Sequence, residues 1–172
     1  QRICPERKLN VDCFSSAEGR ALVSPSAYRV FVQDAAWLRL DDAMCRSVLG
    51  DISAEEVAGW DAGGDVVFTR DQLDRVVLIH SIRVGLEHLF GCANGASEWL
   101  TLSHAADDPV FAGRTPSQHI VCEGIIGLYQ VLKRVDALAE DITSALGDFD
   151  SDDSYSSPSN DSAWASAPRL LH

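Results

Sequence analysis

Asp108-Pro109-Val110-Phe111-Ala112-Gly113-Arg114-Thr115-Pro116-Ser117-Gln118-His119-Ile120 is the stretch on which the reading of this chain turns. It describes an extended loop that closes in a tight turn and launches a helix. Gly113 supplies the positive φ that such a turn needs. Thr115 is a capping residue, and Pro116 suits the first helical position, where a missing N–H costs nothing. The helix runs through Ile120 and Val121, pauses at Glu123-Gly124 and gives way to a long amphipathic helix from Ile125. There Ile125, Leu128, Tyr129, Leu132, Val135, Leu138 and Ile142 recur at close to a 3-4 spacing, with Lys133, Arg134, Asp136, Glu140 and Asp141 between or beside them. None of this is reactive chemistry. The segment reads as a surface for another molecule to grip.

Upstream, Thr69-Arg70-Asp71-Gln72 is a capping box, threonine followed three positions later by glutamine. The helix it starts carries Leu73, Val76, Val77, His80, Val84 and Leu89, and Gly91 ends it. Asn94 is expected to cap the next helix, which includes Trp99 and Leu100. Nearer the N-terminus, Ser24-Pro25 reads as a cap and a first-position proline, predicting a helix to about Arg39 with Tyr28, Val30, Phe31, Ala35 and Leu38 inward. Leu40 to Leu49 and the turn Gly50-Asp51-Ile52 follow, then a second short helix from Ser53 to Trp60, which ends before Asp61-Ala62-Gly63-Gly64. Short helix, glycine-containing turn and short helix outline a helix-turn-helix. Its DNA-contact candidates are Arg39, Arg46 and Ser53. Glu55 and Glu56, however, occupy the N-terminal positions that a recognition helix turns toward the groove, where phosphates repel them. A helix pair that packs or dimerises fits those residues better.

The expected architecture is therefore all-α. It comprises an N-terminal extension (1–20), a degenerate helix-turn-helix unit (21–68), a helical partner-binding domain (69–146) and an acidic Ser/Asp-rich C-terminal tail (147–172). In the tail Asp148, Asp150, Asp152 and Asp153 alternate with serines, while Phe149, Tyr155, Trp164, Leu170 and Leu171 punctuate it. Such a composition cannot bury a core alone but can order on a partner.

A length of 172 residues with 46% hydrophobic content fits one ordinary domain with tails. The formal charge of −12 argues against an extended nucleic-acid footprint, which runs on clustered lysine and arginine. Cysteines at 4, 13, 45, 92 and 122 contain no CxxC pair, so neither a zinc site nor a disulfide framework is expected, and free thiols suit a reducing cytoplasm. No window approaches the ~20 apolar residues of a membrane span, and the first residues lack the apolar run of a signal peptide.

No catalytic constellation stands out. His80 and His88 lie on one helix without a carboxylate or cysteine to complete a metal set. His104, His119 and His172 are dispersed, and Asp107-Asp108 before Pro109 reads as turn chemistry. There is no phosphate-cradling glycine loop and no nucleophile elbow. Neither enzymatic activity nor a cofactor is expected.

From about Ser53 to Leu138 the chain resembles the antitoxins of the Xre/MbcA/ParS type, partners of toxins with the RES domain. The resemblance rests on Trp60 with Gly63-Gly64, Asp74-Arg75, Phe90-Gly91, Trp99-Leu100, Gly113-Arg114-Thr115-Pro116, and a closing helix with Leu128 and Leu132, in that order. Gly59 and an acidic helix stand where family members often carry an arginine before the tryptophan, which argues against DNA binding and leaves toxin binding untouched. What the resemblance implies is an all-helical antitoxin, dimeric within its complex, that binds an NAD-consuming RES toxin and blocks the toxin's substrate pocket. Carried over by position, the toxin-contact candidates are Gly113, Arg114, Thr115, Pro116 and His119 of the turn and helix, and Tyr129, Lys133, Asp136 and Glu140 of the closing helix. Arg114 would either anchor the turn internally or pair with a toxin carboxylate. A pocket that binds a dinucleotide should hold cations, and acidic side chains would complement it.

Overall fold

The computed structural model describes residues 14–147, which form seven α-helices and, among the described residues, no strand. They are α1 (Ala17–Leu38), α2 (Asp42–Val48), α3 (Ala54–Asp61), α4 (Arg70–Phe90), α5 (Ala93–Thr101), α6 (Pro116–Glu123) and α7 (Ile125–Gly147). The expected extension lies mostly, and the acidic tail almost wholly, outside the described residues. A compact unit runs to Glu140; the described part of the remainder, 141–147, is the final turns of α7.

The helix boundaries follow from local chemistry. Capping boxes start α3 (Ser53 with Glu56), α4 (Thr69 with Gln72) and α6 (Thr115 with Gln118), each satisfying orphan N–H groups reciprocally. Gly91 closes α4 at φ 66°, a left-handed backbone that glycine adopts without steric cost.

Two expected boundaries are corrected. The first helix begins at Ala17, capped by Ser16, and Pro25 lies inside it. Ser24 is fully buried: its hydroxyl donates to the Arg20 carbonyl (2.6 Å) and accepts from the Phe68 N–H (2.8 Å). The residue that resembles a cap is a cross-link, pinning the strandless segment before α4 onto α1. Likewise α5 begins at Ala93 with no side-chain cap, and Asn94 sits within its first turn.

One core cluster runs from Phe31 and Leu38 on α1, through Val48, Leu49 and Phe68, to Ile79, Ile82 and Leu86 on α4 and Leu128, Val131 and Val135 on α7. Residues on both sides of the expected boundary at 68/69 share it, so that boundary separates no cores. Within this cluster α1 lies along α4, and α5 packs on α4 and α6. Two glycines set the approach of α7. A Cβ at Gly127 would meet the His119 carbonyl oxygen at 2.7 Å, and one at Gly85 would meet Val135 Cγ1 at 2.5 Å. Between α1 and α4 a buried carboxylate, Asp34, receives His80 Nδ1 at 2.8 Å and faces Arg83 Nε at 3.7 Å, so His80 is a packing partner. Arg83 also lies 5.0 Å over the Trp37 ring.

No single helix among the described residues is long and apolar enough to cross a membrane. Only α4 and α5 together pass on composition, and they are bent by 112°.

Candidate partner-binding surface

The quoted stretch folds into a closed loop whose two ends pair. The His104 N–H donates to the Arg114 carbonyl (3.3 Å) and the Gly113 N–H to the Ala105 carbonyl (3.1 Å). Between them Asp108 organises the chain: its Oδ1 accepts the N–H groups of Val110 (2.9 Å) and Phe111 (2.8 Å), while Oδ2 lies 3.7 Å from Arg134 of α7. The Phe111 N–H bond is the main reason its carboxyl is held below the usual range, with Val110 and Arg134 acting in the same direction against burial. Ala112 and Gly113 both take positive φ, 48° and 85°, to reverse the chain. Phe111 is completely buried, with the rings of Trp99, His104 and His119 around it at 6.2, 4.4 and 5.5 Å.

This packing decides which of the sequence candidates can reach a partner. Pro116 and His119 are buried, which corrects their assignment as contact residues. Proline docks the first turn of α6, and His119 directs Nε2 to Gln130 of α7 at 2.6 Å. Thr115 is committed to its capping box. Arg114 is half-exposed and bonds Glu123 across α6 (3.2 Å), an interaction that raises the guanidinium pKa, with Cys122 in support. Gly113 lies exposed at the tip of the turn.

The α7 candidates behave differently. Ile126, Tyr129, Lys133, Asp136 and Glu140 are all exposed. At 3.6 residues per turn they fall within an arc of about 80°, opposite Leu128, Val131, Val135 and Leu138. Tyr129 therefore leaves the apolar stripe to which its spacing assigned it, and Val131 takes the inward place. Lys133 Nζ lies 5.6 Å from the Tyr129 ring centroid, a cation–π distance. Ile126 and Tyr129 are 62% and 51% exposed, a large apolar commitment to solvent on one face. Ile126 was not among the expected contacts; the signal that finds it is its place three residues before Tyr129.

Two apolar grooves lie elsewhere in the compact unit. One, of about 400 Å³, is bounded by Leu38, Met44, Leu100, Ser117 and Val121; the other, of about 390 Å³, by Tyr28, Val32, Ala35, Cys45 and Ala58. Burial, reinforced by Asp42 and Asp41, pushes up the Cys45 thiol. Of the DNA candidates, Arg39 caps α1 at the rim of the first groove, while Arg46 lines the second together with Ala54, the residue after Ser53. The Ser53 hydroxyl is occupied by its capping box, as is the Glu56 carboxylate.

Some motif residues hold structural posts, whereas Asp74 and Phe90 stand exposed. Trp60 packs edge-on between Tyr28 (5.3 Å) and Phe68 (5.4 Å). Tyr28 in turn donates to Asp61 at 2.7 Å, and burial together with that bond raises its pKa. Arg75 is paired to Asp71 at 2.6 Å and reaches the Val48 carbonyl at the end of α2. No three His, Cys, Asp or Glu side chains gather as a metal set among the described residues. Comparison with family models, curated proteins and solved structures finds no match to this chain.

Proposed function

We propose that this chain is a non-catalytic cytoplasmic antitoxin that binds a RES-domain, NAD-consuming toxin and covers the toxin's substrate pocket. The observation that carries the reading is the outward face of α7, where Ile126 and Tyr129 stand in solvent beside Lys133, Asp136 and Glu140. An aromatic anchor ringed by charges on a rigid helix is the composition of a protein interface. Further support comes from the resemblance, of whose motif residues Trp99, Leu100 and Leu128 lie in the core and Gly91 and Thr115 cap helices.

Within this reading the contact set is narrowed. Gly113 and Arg114 at the turn, and Ile126, Tyr129, Lys133, Asp136 and Glu140 on α7, meet the toxin, while Thr115, Pro116 and His119 hold their frame. Negative charge on α7 steers the chain toward a cationic dinucleotide pocket and sets register. The chain dimerises within the complex. The α2–α3 pair serves packing, with Glu56 turned back on Ser53.

Co-expression with a RES-domain protein tests the proposal. The two proteins co-purify and NAD consumption stops. A toxin that stays unbound, with its NAD consumption undiminished, refutes it.

A further inference from the structure

The buried side-chain nitrogens without a hydrogen-bond partner among the described residues are His104 Nε2, His119 Nδ1 and Arg134 Nε, and the side chains that carry them surround the Phe111 loop. Buried polar groups left unpaired are costly and uncommon, so their concentration at one loop points to a function of that loop. We propose that residues 104–114 form a protonation-sensitive latch, closed over Phe111 while the His104 ring is neutral and loosened when that ring takes a second proton.

The geometry supplies the mechanism. His104 stands at the neck of the loop, its backbone N–H on the Arg114 carbonyl and its ring 4.4 Å from Phe111 and 5.6 Å from Trp99. An imidazolium carries a proton on both ring nitrogens. Nε2 is sealed from solvent and has no acceptor, so the charged ring would bury an unpaired donor. The charged and titratable groups facing it are Asp108 on the loop, His119 across Phe111 on α6, and Arg134 on α7; α5 contributes the uncharged Trp99. Asp108 attracts the added charge, but its oxygens already serve two backbone N–H groups and Arg134. Arg134 opposes the charge. Burial is the largest influence on His104 and lowers its pKa from the ordinary value of 6.5.

A histidine held neutral in the closed state contributes its full stabilisation above about 6.5 and loses it as pH falls below that value. Mildly acidic conditions therefore free Gly113 and Arg114 from their pairing with Ala105 and His104. This latch belongs to the chain by itself and stands whether or not a toxin is its partner.

Amide hydrogen exchange and histidine NMR on the full chain, between pH 7.5 and 5.5, test it. Protection factors of the Gly113 and His104 amides, corrected for intrinsic exchange, should fall by up to tenfold per pH unit below about 6.5. The fall should set in near 6.5 and level off as the His104 ring titrates at its lowered value, and the Trp99 indole resonance should shift with that titration. In His104→Gln the loss should vanish. Protection that stays constant in the wild type, or that falls equally in a folded His104→Gln, overturns the proposal. Should His104→Gln not fold, the wild-type titration decides: loosening that follows the His119 ring instead of His104 also overturns it.

Discussion

Asp108 carries three tasks on one carboxylate: it accepts two backbone N–H groups and offers its second oxygen to Arg134. Asp108→Ala removes all three and should lower stability by about 1–3 kcal/mol in urea titration. Because the folded carboxyl is held below its ordinary value of 3.8, its contribution is present above that pH and lost as pH falls through the folded value. The acid limb of the stability curve should accordingly be shallower in the variant. Ser24→Ala strands the buried Phe68 N–H and should cost a similar ~1–3 kcal/mol, whereas a terminal cap in its place would cost less. Residue roles of this kind were only partly legible. Asp108-Pro109 announced a turn, because an Asx side chain bonds its own following backbone. Ser24-Pro25 announced a helix start that lies earlier at Ser16, because a proline inside a helix and one at its first position look alike in sequence. Nothing local marks Asp34 as the buried partner of His80, since that pair joins residues far apart in the chain.

Helix α7 was the most legible element, and two glycines fix how close it comes. Gly→Ala in an exposed helix interior ordinarily stabilises by about 0.5–1 kcal/mol. Gly127→Ala should do the reverse, destabilising by about 1–3 kcal/mol, because the new methyl meets the His119 carbonyl, which is backbone and cannot swing away. Gly85→Ala presses on Val135, a stiff β-branched side chain that is fully buried, and should lower the thermal midpoint as well. A midpoint unchanged or raised in both would contradict the packing described. Caps, breaks and the alternation of α6 with α7 follow from side chains within three or four residues and are therefore visible in sequence. The crossing of α7 over α4 depends on an absent side chain at Gly85, and an absence of that kind carries no periodic signal. Tyr129 was placed on the apolar stripe for the same reason: spacing gives a face but not the angle at which a neighbour meets it.

At the scale of the whole molecule, composition and periodicity gave an all-helical chain, and the structure is all-helical among its described residues. The division into two units at residue 68 had no counterpart, since α1 and α4 bury their apolar faces against each other in one core. The turn candidates divided between frame and surface according to burial, which sequence does not reveal for a histidine or a proline. The α7 candidates were exposed together because a single helical period governs all of them. Ile126→Asp and Tyr129→Asp lie on solvent and should leave the thermal midpoint within ~2 °C, consistent with the small effects of surface substitutions. Each should nonetheless weaken toxin binding at least tenfold, the loss of ~1.4 kcal/mol, measured by titration calorimetry.

The central claim, that this chain silences a partner by laying the α7 face over its reactive cleft, is tested most directly by following NAD consumption by a RES-domain toxin while the purified chain is added. The account predicts that consumption stops at stoichiometric addition and resumes when the wild type is replaced by folded Tyr129→Asp. Consumption that continues unchanged with the wild type, or that Tyr129→Asp suppresses equally well, would contradict it.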